Sequence, residues 1–283
     1  MRFKQFLSES VSDSYKKISE VKAVELAKTN FNEALALDKP LIVRGMRQKD
    51  KRSIEYYSIS NITGRKSANT SNEYTVLVDN LPAWKDYPKR SESLICTNLN
   101  NLGYTWDYGE TFIILPENGA NIGVCSSYDF WNGFGRFTQL GKAAGYTSHP
   151  LMGIFNEILR SIFQDAGFKL RHDNKDFDQI KQALDAGTKY LRTAEPETLA
   201  REDKSFFKSV IDGKETMLEF IEKVLDPTIN GFKLVKYKNL VEFSGNKELW
   251  FSGPALAFGN NVISDEDEAI ELYQEFREKV KNS

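Results

Sequence analysis

The sequence predicts an α+β fold, and three observations carry that expectation. The first 130 residues divide short apolar runs with turn residues. From Pro150 the apolar residues recur at helical spacing. Two more strand-length runs then precede a last charged helix. The chain has 283 residues, 40% of them hydrophobic and 12% aromatic, so it is long and apolar enough to build a core of this kind. A low-complexity or disulfide-stapled chain is excluded by the same figures.

The elements follow in order. Ser14 to about Leu37 reads as a helix, with Ile18, Val21 and Val24 at three-residue spacing and Asp38-Lys39-Pro40 as its stop. Leu41 to Arg44, Tyr74 to Val78, Ser91 to Thr97 and Thr111 to Leu115 read as strands, with a loop over Asn61 to Asn72. Asn118-Gly119 is a turn signal, and Ile122 to Cys125 after it predicts a hairpin with the preceding strand. Leu151, Ile154, Phe155, Ile158, Leu159, Ile162 and Phe163 form a helical stripe closed by Gly167. Further helices are expected over 175–193 and 203–225, ending at Asp226-Pro227. Gly231 to Phe243 and Glu248 to Phe258 read as two strands joined by Ser244-Gly245-Asn246. The final helix takes Ser264 as N-cap and runs to about Lys281, acidic at its start and basic at its end as the helix dipole prefers. The late strands have too few partners to fold alone, so the expectation is one domain over 10–283 with a helical insertion at 150–228.

Charge and composition narrow the chemistry. The net charge of −2 gives no global field to draw in nucleic acid or anionic lipid. The local basic run Arg47, Lys49, Lys51 and Arg52 reads as a solvated loop before it reads as a nucleic-acid contact. Apolar runs such as Phe112 to Leu115 are far below the roughly 20 residues of a membrane-spanning helix. Cys96 and Cys125 make no framework, and His149 and His172 no zinc site, so no metal is expected. Composition therefore predicts a soluble protein of a reducing compartment.

Three fragments carry candidate chemistry. Leu41 to Gly45 ends a strand on Arg44, whose forked donors suit a phosphate and whose bland alternative is a structural ion pair. In Pro88 to Thr97, Ser91 and Ser93 lead an apolar strand with their hydroxyls on one side, after a Lys89-Arg90 turn. In Gly245 to Gly253, Glu248 opens an aromatic strand, where it is half-desolvated or else pairs with a basic residue across the strand. This order, Arg then Ser-x-Ser then Glu on separate strands, resembles the Arg-Ser-Glu class of ADP-ribosyltransferases.

The resemblance implies an ADP-ribosyltransferase-like mixed sheet core and NAD as the substrate. It implies that Arg44 beside Gly45 holds NAD phosphate and ribose. Ser91 and Ser93 brace the nicotinamide pocket and orient the acid. Glu248 stabilises the cationic ribose as nicotinamide leaves. The middle motif reads Ser91-Glu92-Ser93 where the family has Ser-Thr-Ser, and Asn246 stands where arginine-modifying members carry Glu. Glu110, at the head of a Glu-strand-Leu-Pro segment, is the second choice of acid, and Asp129 a third. In Tyr128-Asp129-Phe130-Trp131, Phe130 is the candidate wall of the nicotinamide pocket, with core packing as its alternative.

The first nine residues, Met1 to Glu9, are aromatic-rich and end in Leu7-Ser8-Glu9. They resemble the capsid-targeting leader of internal head proteins in T-even-type tailed bacteriophages, cut by the prohead protease after Leu/Ile-x-Glu. That resemblance implies packaging in the virion and injection into the host cytoplasm, with a host protein or nucleic acid as acceptor. The alternative expectation is a non-enzymatic internal head protein or injected inhibitor using 151–226 as its binding surface.

Overall fold

The computed structural model describes residues 14–39, 41–46, 53–65, 72–135, 159–169, 176–195, 208, 215–240, 245–260 and 263–283. The expected leader, the basic run at 47–52, both histidines and most of the 151–163 stripe lie outside these residues. The chain divides into two compact units: Met1–Arg65 with Tyr87–Asp129 and Phe232–Ser283, and Lys66–Asp86 with Phe130–Gly231. The stretch expected as an insertion falls in the second unit, which also draws on 66–86.

The first unit is α+β, as predicted. Its strands are β1 (Tyr15–Ile18), β2 (Ile42–Met46), β3 (Glu55–Ile59), β4 (Ser93–Asn98), β5 (Glu110–Pro116), β6 (Asn121–Val124), β7 (Lys233–Lys236), β8 (Glu248–Ser252) and β9 (Ala255–Gly259). They form one sheet in the order β1-β3-β9-β5-β2-β4-β8-β6-β7, and every neighbouring pair is antiparallel. Helices α1 (Glu20–Asn30) and α2 (Asn32–Leu35) follow β1, and α7 (Glu266–Asn282) closes the chain. Phe276 of α7 meets Phe258 of β9 at 4.4 Å and Tyr56 of β3 at 5.8 Å between ring centroids. The Tyr273 hydroxyl donates to the carbonyls of Ala34 and Leu37, at 2.7 and 2.9 Å, and ties α7 to the end of α2.

The second unit is helical among its described residues. It holds α3 (Asn72–Asn80), α4 (Arg160–Asp165), α5 (Phe177–Thr193) and α6 (Met217–Val224). Asp176 caps α5, and a Thr216–Glu219 capping box starts α6. Thr188 of α5 accepts from the Met217 amide at 3.0 Å, which locks the start of α6 onto α5. Trp84, Phe130, Trp131 and Phe134 form an aromatic cluster, fixed by the Trp84 indole N–H on the Leu225 carbonyl at 2.8 Å.

Several expectations are corrected here. Tyr15 to Ile18 is a strand, not the first turn of a helix, and α1 starts at its Ser19 cap. Tyr74 to Val78 lies in α3, not in a strand. Tyr74 to Val78 are all buried there, so the apolar run carries no period that separates a buried helix from a strand. The Asn118-Gly119 turn forms, with Gly119 at φ +77, but β5 and β6 do not pair across it. Asn118 instead ties the turn to the Glu33 amide and the Thr29 carbonyl, at 3.0 and 3.1 Å, and β6 crosses to β8. The run 248–258 is two strands, broken where Gly253 takes φ +111 before Pro254. Among the described residues of the strand expected over 231–243, β7 is the strand, and it pairs with β6 and not with β8.

Gly45 and Gly123 are among the glycines fixed by close approach. A Cβ on Gly45 would overlap the Thr105 carbonyl of the 3₁₀ segment Leu99–Asp107, and one on Gly123 would overlap the Trp250 ring. Gly45→Ala is expected to lower stability by about 1–3 kcal/mol, because backbone rather than a flexible side chain must move. A lower urea midpoint at unchanged m-value checks it. Burial also raises the pKa of Tyr56, Tyr57, Tyr237 and Tyr273 above the ordinary 10.0. The native state keeps protons that the unfolded chain releases, so stability present below pH 10 falls as the pH rises further. Urea midpoints taken between about pH 8 and pH 11 are expected to decline on the alkaline side.

Candidate active site around Glu248

Strand β4 is the spine of the site. Apolar Leu94 and Cys96 bury one of its sides, while Ser93, Ile95 and Thr97 alternate on the other. On β8 the same alternation puts Glu248, Trp250 and Ser252 on one side, opposite Thr97, Ile95 and Ser93 in register. Gly123 of β6 stands opposite Trp250 on its other flank.

Glu248 is held at both backbone ends. Its amide donates to the Ser127 carbonyl at 3.0 Å, and its carbonyl accepts from the Cys125 amide at 2.9 Å. The preceding turn is tied to Asn98. The Asn98 side chain accepts from the Lys247 amide at 2.8 Å and donates to the Gly245 carbonyl at 3.0 Å. Thr97 donates to the Lys247 carbonyl at 3.0 Å and accepts from the Asn101 amide group at 3.0 Å. The approach to the carboxylate is thus fixed by an Asn-Thr-Asn set that the motif reading did not single out.

The carboxylate is buried, and Arg90 meets it. Arg90 Nη1 lies 2.6 Å from Glu248 Oε1, with the two side chains 5% and 9% exposed. The guanidinium also covers the Trp250 ring at 5.2 Å from its centroid. Trp250 is pinned by its indole N–H on the Pro88 carbonyl at 2.9 Å and by the stacked Tyr87 ring at 6.1 Å. Lys89-Arg90, expected as a turn, is one: Arg90–Glu92 is a 3₁₀ turn, but its arginine points inward and is buried.

The electrostatics around Glu248 act on its neighbours. Burial first, then the Glu248 carboxylate, raise the Cys125 thiol pKa, against weaker lowering by the Ser127 amide and Arg90. Tyr104 is raised by burial, then by its Tyr108 partner, with Asp129 and Glu248 adding to the shift. The Tyr108 hydroxyl donates to Tyr104 at 3.3 Å. Cys125 donates to the Asp129 carbonyl at 3.4 Å, so Asp129 belongs to the turn that wraps the head of β8.

Arg44 on β2 donates through Nη1 to the Ile95 carbonyl of β4, just beyond the point where the β2–β4 ladder stops at Val43 and Thr97. Gly45 serves the close approach of Thr105. Ser91 lies in the 3₁₀ turn rather than on the strand, and its carbonyl accepts from the Arg65 amide at 2.9 Å. Ser93 is fully buried, donates to the Lys89 carbonyl at 2.6 Å, and faces the Ser252 hydroxyl at 3.1 Å. Ser93 therefore sits four positions down the ladder from Glu248, about 13 Å away at strand rise. Glu110 opens β5 opposite Met46, three strands from β8 in the sheet order. Phe130 is fully buried in the aromatic cluster of the second unit, 4.9 Å from Trp131 and 5.3 Å from Phe134, as core packing requires.

Among the described residues no group of His, Cys, Asp and Glu suited to a metal ion occurs, and no helix is long and apolar enough to cross a membrane. No family model, curated protein or solved structure matches the chain. Removing one partner of a buried ion pair strands the other charge. Glu248→Ala is therefore expected to cost about 3–5 kcal/mol, while Arg90→Met with Glu248→Leu recovers most of the loss. Urea unfolding of the three proteins checks the order.

Proposed function

We propose that this chain is a mono-ADP-ribosyltransferase that takes ADP-ribose from NAD to a macromolecular acceptor. One observation carries the reading: the strands bearing Arg44, Ser93 and Glu248 are consecutive neighbours, β2-β4-β8, although 155 residues separate Ser93 from Glu248. A carboxylate fixed at the head of β8 suits the chemistry. In the reaction the bond between C1′ of the nicotinamide ribose and the ring nitrogen breaks, and nicotinamide leaves with the electron pair. The acceptor nucleophile bonds to C1′ and gives up its proton. Positive charge develops on the ribose, so a positioned carboxylate stabilises the transition state more than the ground state. Arg44, already reaching onto β4, offers a guanidinium for a phosphate. The exposed Trp106 and Tyr128 flank the Tyr104 and Ser127 segments and supply the acceptor-facing surface.

The wording of residues 1–9 supports a phage origin, with the prohead protease acting on the leader, packaging in the head, and action in the host cytoplasm on a host protein or nucleic acid. A second reading, the non-enzymatic injected protein, is favoured by one observation: Glu248 and Arg44 each have a partner within the fold.

Label transfer separates the two. Residues 10–283 are incubated with biotin-tagged NAD and bacterial lysate, beside Glu248→Gln. The expected result is label on a discrete protein or RNA band, reduced about 100-fold or more in the variant. A folded protein that neither labels nor binds NAD overturns the transferase reading in favour of the injected inhibitor. Label that persists in the variant moves the acid to Glu110 or Asp129.

A further inference from the structure

We propose that Arg90 is the positioning residue of this site, holding the Glu248 carboxylate in the orientation in which it meets the ribose. The inference rests on the transferase reading and adds to it a residue that the motif comparison left in a turn. The expected braces of the acid were the serines. Ser93 instead faces Ser252, four positions away along the ladder, and Arg90 meets the carboxylate at 2.6 Å.

The surroundings are built to hold that guanidinium in one place. The turn is closed by the Glu92 amide on the Lys89 carbonyl at 3.1 Å, and Ser93 bonds the same carbonyl at 2.6 Å. Trp250 lies beneath the guanidinium, fixed by Pro88, by Tyr87 and by the absence of a side chain at Gly123. The stretch from Tyr87 to Ser93 is thus one clamp around a single ring, and its product is the location of Nη1. Ser93 shapes the turn that carries Arg90.

Stability alone does not account for the pair. A buried ion pair is commonly matched or exceeded in stability by apolar residues of similar volume, so what it supplies is a fixed direction. Nη1 takes one of the roughly four acceptor positions of a carboxylate. A charge-assisted bond from a guanidinium that is itself fixed by packing holds a carboxylate oxygen more strongly than a hydroxyl does. Misplacement by about 1 Å costs on the order of 100-fold in rate, which sets the size of the effect to look for.

The test compares the full chain with Arg90→Gln, Arg90→Lys, Glu248→Gln and the double variant Arg90→Gln with Glu248→Gln. NAD turnover, KM for NAD and calorimetric NAD binding are measured, with unfolding midpoints to confirm folding. Arg90→Gln is expected to lower kcat about 100-fold with KM and NAD affinity nearly unchanged, and Arg90→Lys to recover about tenfold. The double variant is expected to be no slower than Glu248→Gln alone, because Arg90 acts through that carboxylate. Its neutral pair also keeps the comparison valid if Arg90→Gln alone fails to fold. Wild-type kcat in Arg90→Gln, an effect on KM alone, or a further loss in the double variant overturns the proposal and leaves the transferase reading standing. A wild-type chain without turnover overturns both.

Discussion

A carboxylate taken out of water needs a cation and fixed donors around it, and the packing about Glu248 meets that demand layer by layer. Arg90 supplies the charge, but a guanidinium is itself costly to bury unless it is held. Trp250 provides the surface on which it rests, and the ring needs its own support: a hydrogen-bond acceptor at Pro88, a stacking partner at Tyr87, and a strand position at Gly123 without a side chain. Each requirement passes to another strand. Through this sequence of dependencies the ion pair constrains β4, β6 and β8 together, along with the turn before β4.

The rest of the sheet is less demanding chemically and more conventional in its packing. Helix α7 covers Tyr56 and Phe258 with Phe276, and its Tyr273 hydroxyl satisfies two carbonyls at the end of α2. On β3, the buried Glu55 carboxylate is met by Lys17 and by the Tyr57 hydroxyl at 2.6 Å. That second buried acid shows the same rule on the opposite half of the sheet. There the partners are close in sequence or on the neighbouring edge strand, and no aromatic clamp is built.

Much of the fold was legible in the sequence wherever local signals decide the outcome. The class, the strand at 111–115, the helix at 177–193 and the last helix all follow from periodicity and capping residues, although the last helix is capped by Asp265 and not by Ser264 as the sequence suggests. Pairing was not legible. A turn at Asn118-Gly119 implies a hairpin only if the flanking strands prefer each other, and here β6 packs Gly123 beneath Trp250 instead. The break at Gly253-Pro254 is present in the sequence but masked, because apolar residues run up to it on both sides. At the site, Glu248 and the strand of Ser93 stood out as isolated features. Arg90 did not, because a basic residue in a turn ordinarily faces water. Its burial is visible only once a residue 158 positions later is set beside it. Nothing local encodes that register.

That separation has a consequence for how the protein comes into being. Strand β4 is complete by Asn98, yet its partner β8 emerges only after the residues of the second unit have been made. During synthesis Arg44, Ser91, Ser93 and Arg90 all exist on a chain that still lacks the acid and the ring. A polypeptide that stops before residue 248 has the motif's first two parts and no site at all, so the residues of the second unit must be made before these groups can meet.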